Sequence, residues 1–306
     1  MSLIEVKNQI QATKNTKKIT KAMQLVAASK MKRFQKVAVN TRAYTNGLVQ
    51  ALHLTHRSIA DSKFGTSNGE KTLFVLMTSD KGLCGAMNTR LLRLLFSGEE
   101  WNAIPEDQKD LITIGRKSTD AALYRGIKTI KSFTQIKEDL TPLDAIEIID
   151  DILELWDGGE YAKVYLISPW YTNAFTFATR MNTMLPITTD LISEYAQHIE
   201  KSDQDIQERP DEGAGYFEPN RERAAESLSL KLAENLFLEA FYQLKATEYS
   251  SRMVAMKKAT EAADDQIKAL TAKFNKARQA AITQQLAELA SANEAMSSLN
   301  AYEIYE

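Results

Sequence analysis

NRERAAESLSLKLAENLFLEAFYQLKATEYSSRMVAMKKATEAADDQIKALTAKFNKARQAAITQQLAELASANEAMSSLNAYEIYE, residues Asn220–Glu306, decides how this chain is read. It holds neither Gly nor Pro in 87 residues, where average usage of about 12% would supply roughly ten. Ala, Leu, Glu, Gln, Lys, Met and Arg, the strongest helix formers, fill it instead. The pattern predicts one helix over 221–300, a rod of about 120 Å at 1.5 Å per residue. A compact chain of this length has a radius of gyration of only about 19 Å, so the rod needs a partner along its length.

The N-terminus offers that partner. Residues 1–104 contain no Pro, and their first Gly is Gly47, which predicts a second helix over 3–58, about 84 Å long. Two long helices at opposite ends of one chain fold back most simply as an antiparallel pair. On the first, Ile19, Met23, Val26, Lys30, Phe34, Val37, Thr41, Tyr44, Leu48 and Leu52 step by three and four, the spacing of a packed stripe. The polar run at 11–18 lies either in water or against polar groups. On the second, Met256, Ala263, Ile267, Leu270, Phe274, Ala277 and Ala281 form a near-heptad stripe, followed by an offset one through Ile282, Leu286, Leu289 and Met296. The Ala-rich seam implies close approach that apolar bulk alone under-specifies. The C-terminal helix outruns its partner by roughly 20 residues, and an unpaired helical tip is marginal by propensity alone. It is expected inside a sleeve made by another protein.

Between the rods the pattern changes. Thr72–Thr78 (TLFVLMT), Asp110–Ile114 and Ala162–Ser168 are short apolar runs suited to buried strands, and Ile127–Phe133 and Trp170–Arg180 read as further strands, the last an antiparallel edge. Helices are predicted over 86–96, 117–124 and 143–156, the last opened by Pro142 and closed by Gly158 and Gly159. Strand–helix–strand succession implies a small Rossmann-like, mostly parallel α/β domain. The domains are therefore 1–60, an N-terminal coiled-coil helix; 70–190, the α/β domain; 191–220, an acidic linker and foot; and 221–306, the C-terminal coiled-coil helix. The fold class is α/β plus a long antiparallel coiled coil, with the α/β domain inserted between the paired terminal helices.

Charge separates along the chain. Residues 1–60 carry 11 Lys and Arg against the single acid Glu5, whereas residues 61–220 carry 16 against 27. A basic arm thus joins an acidic body, and its partner is solvent or an acidic surface. No run is long and apolar enough to span a bilayer. The single cysteine, Cys84, excludes an intrachain disulfide and a Cys-based cluster.

Catalytic signals are weak. SDKGLCG (79–85) follows a strand and opens a helix, where phosphates often bind, yet it matches no nucleotide-binding motif. A tight turn with special conformations at Gly82 and Gly85 accounts for it. Cys84 reads as a packed side chain, since His53, His56 and His198 lie outside the strands. Asp80 with Asp144, Asp150 or Asp151 has no spacing that favours a metal. The polar segments TKNTKKITKAMQ (13–24) and NKARQAAITQQ (275–285) stand out instead, on the rods.

NTKKITKAMQLVAASKMKR (15–33), TSDKGLCGAMN (78–88) and SSRMVAMKKATEAADDQIKALTAKFNKARQAAITQQLAEL (250–289) resemble, in order and spacing, signature segments of the gamma subunit of F-type ATP synthases. The resemblance implies a central-stalk rotor that binds no nucleotide, metal or cofactor and performs no catalysis. Its expected partners are the alpha and beta subunits of a six-membered ring, the epsilon subunit and the membrane c-ring, with no nucleic acid and only indirect membrane contact. Carried over by position, Lys21, Met23, Arg278, Gln279 and Thr283 resemble beta-subunit contacts. Leu286, Leu289 and Met296 would meet the sleeve, and Tyr216, Phe217 and Glu218 the c-ring and epsilon. The cytoplasmic face of a bacterial plasma membrane is expected rather than an organelle inner membrane. The continuation 297–306 and the acidic segment 192–215 depart from the family pattern. Two competing readings are a nucleic-acid-binding coiled-coil arm, as in seryl-tRNA synthetase, and an α/β hydrolase using Cys84. The arm here is split between the termini rather than built as one internal hairpin, which argues against the first.

Overall fold

The computed structural model describes residues 2–54, 59, 62–67, 69–137, 140–193, 218 and 220–302. The long helices are α1 (Leu3–Leu54) and, at the other end, α6 (Arg221–Tyr302). Between them run β1 (Lys71–Met77), α2 (Met87–Phe96), α3 (Glu99–Ala103), β2 (Lys109–Ile114), α4 (Arg116–Tyr124), β3 (Lys131–Phe133), α5 (Pro142–Asp157), β4 (Tyr161–Tyr171) and β5 (Phe177–Leu185). The chain forms two compact units, one of Val26–Ala255 and one joining Met1–Leu25 to Met256–Glu306.

In the first unit the strands form one sheet in the order β3-β2-β1-β4-β5. β1 is parallel to both β2 and β4, β2 is parallel to β3, and β5 runs antiparallel to β4 as an edge. From Leu73 to Met77 the central strand has no exposed residue, as expected where helices cover both faces of a parallel sheet. Met87, Leu91 and Leu95 of α2 are fully buried on it, as are Leu232, Ala233 and Phe237 of α6 in the same core. α5 starts where Pro142 suits a first turn. Thr141 Oγ1 accepts from the Asp144 N–H and the Asp144 carboxylate accepts from the Thr141 N–H, a capping box that satisfies two otherwise orphaned donors.

The two long helices also meet within this unit. Phe34 stacks on Tyr249 with ring centroids 5.6 Å apart, and Ala27, Met31 and Ala246 pack around them. Asn235 Nδ2 donates to Thr45 Oγ1 at 2.6 Å, and Thr45 Oγ1 donates to Glu239 at 2.7 Å. Burial pushes the Glu239 carboxyl above its ordinary range, against the opposing pull of Thr45, Arg42 and Arg180. Trp170 lies under both arginines, whose guanidinium carbons are 4.4 and 4.1 Å from the ring centroid.

Several expectations need correction. The strand expected over 127–133 is confined to Lys131–Phe133, because Gly126 ends α4 with a positive φ and the chain crosses back before pairing. The single strand expected over 170–180 is two strands: β4 continues through Tyr171, and a turn in which Asn173 Oδ1 accepts from the Phe175 and Thr176 N–H groups reverses the chain into β5. The stripe on α1 is displaced at three of its ten positions, while Met23, Lys30, Val37 and Thr41 are half-buried as expected. Ile19, Val26 and Tyr44 are exposed, whereas Ala27, Met31, Ala38, Thr45 and Val49 are buried beside the expected Phe34, Leu48 and Leu52. Helices that approach closely place small residues in the seam and leave bulkier neighbours outside. At the glycine turn, Leu83 and Gly85 adopt positive φ, 62° and 61°, while Gly82 does not. Residues 55–58, most of the linker 191–220 with Tyr216 and Phe217, and the end 303–306 lie outside the described residues.

Candidate functional site

The second unit is a helix pair with a narrow seam. Along α6, Met256, Thr260, Ala263, Ile267, Leu270, Phe274, Ala277 and Ala281 are buried or half-buried while the residues between them are mostly exposed, a heptad pattern. The stripe expected from Met256 to Ala281 is therefore the seam. Facing it on α1 are Val6, Ile10, Thr13, Lys17 and Thr20. Thr20 Oγ1 lies 2.8 Å from Thr260 Oγ1, and Lys17 Nζ donates to Asp264 at 2.6 Å. The chain directions are opposed: three residues forward on α1 correspond to four back on α6. Part of the polar run at 11–18 is thus pressed against the other long helix.

Past Ala281 the seam ends. Every residue from Ile282 to Asn293 is exposed, including Ile282 at 49%, Leu286 at 61% and Leu289 at 67%. These three apolar side chains stand bare within two turns of one helix. The side chain of Met296 lies outside the described residues, although its backbone continues α6. Arg278 and Gln279 are exposed just before this tip, and Thr283 Oγ1 donates to the Gln279 carbonyl at 3.0 Å. On α1, Lys21 is exposed and donates to Gln24 at 3.3 Å, while Met23 is half-buried. Lys14, Lys17, Lys18 and Lys21 line one open groove with Asp264 and Ile267. Glu218 is exposed.

In the first unit, the turn after β1 sits where the strand order diverges to β2 on one side and β4 on the other, the usual ligand position in an open α/β sheet. Here the chain itself fills that position. Asp80 Oδ1 accepts from the Arg116 N–H at the start of α4 (2.9 Å) and from the Gln135 N–H (3.1 Å), so its carboxylate occupies the helix N-terminus that would hold a phosphate. The turn offers its carbonyls, not its N–H groups, to α6. Arg252 Nη2 donates to Gly82 O at 3.2 Å and Lys81 O at 3.4 Å, and to Glu248 at 2.8 Å. Both Arg252 and Glu248 are buried. Cys84 is also buried, its Sγ accepting from Asn88 Nδ2 at 3.2 Å. Among the described residues no group of His, Cys, Asp and Glu could hold a metal ion, and Asp144 and Asp151 are engaged by Lys137 and Lys131. The Arg252 clamp was missed from sequence, because an arginine in a helix-forming run carries no mark of burial.

These features define a class: paired terminal helices with, between them in sequence, an α/β domain whose customary ligand position is closed by its own side chains. A family model described as ATP synthase matches residues 2–296. The ATP synthase gamma chain of Symbiobacterium thermophilum is 31% identical over 292 residues, covering 93% of this chain and 94% of its own length. That of Halothermothrix orenii is 30% identical, covering 95% and 98%. The chain belongs to the ATP synthase gamma-chain family, the rotor subunits of the F-type enzyme's central stalk. Among solved structures, a chain from the central stalk and c-ring of Tetrahymena thermophila mitochondrial ATP synthase is similar with a TM-score of 0.57 and 25% identity, covering 79% of this chain and 99% of that one. A chain from Euglena gracilis mitochondrial ATP synthase, in an assembly of OSCP, F1 and c-ring, shares the fold with a TM-score of 0.66 and 18% identity, covering 96% and 94%. Among the described residues no helix is long and apolar enough to cross a membrane. The nucleic-acid arm and the Cys84 hydrolase are left without support.

Proposed function

We propose that this chain works as a non-catalytic axle, converting rotation of a membrane c-ring into sequential conformational change at the beta subunits of an alpha–beta ring. The observation that carries this reading is the bare end of α6: Ile282, Leu286 and Leu289 are exposed, with no strand or helix beside them among the described residues. An isolated helical tip is marginal in water, and a surrounding sleeve supplies the missing burial. Leu286, Leu289 and Met296 are assigned to that sleeve. Arg278, Gln279 and Thr283, one turn or two below, are assigned to polar contacts with beta, as are Lys21 and Met23 on α1. Tyr216, Phe217 and Glu218 are assigned to the c-ring and epsilon.

The mechanism needs no bond-making by this chain. A ring of three equivalent sites holds three different states only if the axle contacts them with unequal free energy, since a ligand without differential affinity shifts no equilibrium. Arg278 and Gln279 on one face of α6 provide a directional polar contact, and the lysines of the α1 groove a directional charge. The working location is the cytoplasmic face of a bacterial plasma membrane, reached through the c-ring. Co-purification tests the assembly: one copy of this chain is expected with three alpha and three beta subunits. Recovery of the chain free of both from cells that contain them would overturn the reading.

A further inference from the structure

Glu239 is buried in the first unit where α6 meets α1 and the β4–β5 edge. Three groups crowd the Thr45 hydroxyl beside it. Asn235 Nδ2 donates to that hydroxyl at 2.6 Å, the Thr41 carbonyl lies 3.1 Å away, and Glu239 Oε2 lies 2.7 Å away. A threonine hydroxyl holds one hydrogen and two lone pairs. If Glu239 is ionised, it and the Thr41 carbonyl compete for the one hydrogen, and a lone pair of Thr45 goes unused. If Glu239 carries a proton, it donates to Thr45, Thr45 donates to Thr41, and every position is filled. Arg42 agrees with the second arrangement. Its Nε is enclosed and makes no hydrogen bond among the described residues, although Glu239 Oε1 is only 3.8 Å away. An ionised carboxylate would draw that donor in, since charge-assisted bonds close to about 2.7–2.9 Å. The Arg42 guanidinium lies over Trp170 instead, 4.4 Å from the ring centroid.

We propose that Glu239 is a proton-responsive tie between α6 and α1. Protonated, it is joined to α1 through the Thr45 hydroxyl; on giving its proton to water, it takes Arg42 Nε as partner and draws that guanidinium off Trp170. The charged groups facing the carboxyl are Arg42 from α1 and Arg180 from β5. The remaining neighbours, Asn235 and Gln243 of α6 with Ser168 and Trp170 of β4, do not titrate. A cavity of about 20 Å³ beside Glu239, Gln243 and Ser168 leaves the carboxyl room to turn. Burial outweighs the Thr45 bond and the two arginines, so the proton is held to higher pH than on an exposed glutamate. The folded value therefore lies above the unfolded one. The stabilising contribution of Glu239 is present below the unfolded value and is lost as pH rises through the folded one. The tie does not depend on the rotor reading above.

A pH titration of the full chain tests this with two readouts. Tryptophan fluorescence between about pH 4 and 8 should show a step with a midpoint above that of an exposed glutamate, and Trp170→Phe should remove it. Glu239→Gln, whose amide can donate to Thr45 as the protonated acid does, should abolish the step and hold the signal at its acid-side level. Arg42→Gln leaves Glu239 in place and should abolish the step as well; it decides the matter if Glu239→Gln does not fold. The second readout is folding stability. Relative to the wild type, Glu239→Gln should gain nothing at the acid end. Between the unfolded and folded values it should gain up to about tenfold in the folding equilibrium constant per pH unit, whereas a packing role alone gives a difference that does not vary with pH. A wild-type signal without a step, a step that persists in Glu239→Gln or Arg42→Gln, or a constant stability difference would overturn the proposal.

Discussion

The Val26–Ala255 unit and the helix pair of residues 1–25 and 256–306 solve opposite problems with the same kind of helix. In the first, α6 is almost continuously buried from Leu232 to Arg252, and Phe237 and Phe241 are among the largest enclosed side chains. In the second, the same helix is buried on one narrow stripe and then on none. Hydrophobic burial near 25 cal/mol per Å² holds a domain together, so the first unit stabilises itself. The second has a narrow seam crossed by the Lys17–Asp264 and Thr20–Thr260 pairs. The contrast teaches that the end lacking its own core is the end for which partner contacts are proposed.

Substitutions should break this contrast in a graded way. Phe241→Ala in the core should cost about 3–5 kcal/mol, read as a large fall in denaturation midpoint. Leu286→Ala should change the isolated chain by less than about 0.5 kcal/mol. An equal loss at both positions would erase the distinction. Arg252→Ala leaves Glu248 buried beside Lys245 Nζ at 3.6 Å and frees the Lys81 and Gly82 carbonyls. About 3 kcal/mol is expected for such a broken buried pair. Hydrogen exchange at residues 81–85 should accelerate more than exchange at the β1–β2 ladder. Next, Arg278→Ala with Gln279→Ala should leave the thermal transition unmoved and lower coupled ATP synthesis in membrane vesicles; normal synthesis would remove those two residues from the contact set.

The smallest expected effect is at Asp144, whose carboxyl is held at about 2 by hydrogen bonds from the Thr141 side chain, Lys137 and the Thr141 backbone. Its folded value lies below its unfolded one. Its contribution is therefore present above the ordinary carboxylate value and is lost as pH falls toward 2. Asp144→Asn should flatten the acid limb of the stability profile in that window. An unaltered limb would show that the cap does not titrate with folding.

What was legible in the sequence follows from how strongly each feature depends on local pattern. The long helices, the central strands and the heptad from Met256 to Ala281 were readable, because the absence of breakers and the apolar period are local signals. The α1 stripe was read correctly at seven of its ten positions and misplaced at Ile19, Val26 and Tyr44. Ile19 and Val26 are exposed because the seam selects Thr20 and Ala27, whose small size permits close approach. The split of Trp170–Arg180 into two strands was hidden because Asn173 forms the turn with neither Gly nor Pro. At the candidate site, Arg278, Gln279 and Thr283 are proposed contacts that rest on family resemblance. The Lys17–Asp264 pair and the bonds from Arg252 to the Lys81 and Gly82 carbonyls were not legible, since the partners lie far apart in sequence.

Rotation of the chain within its complex tests the central claim most directly. Tyr124 is 90% exposed at the end of α4; Tyr124→Cys in a Cys84→Ser background gives a single attachment point for a bead on an otherwise immobilised alpha–beta ring. On adding ATP, the bead should turn continuously in one direction. A bead that stays still while the same complexes hydrolyse ATP would contradict the account.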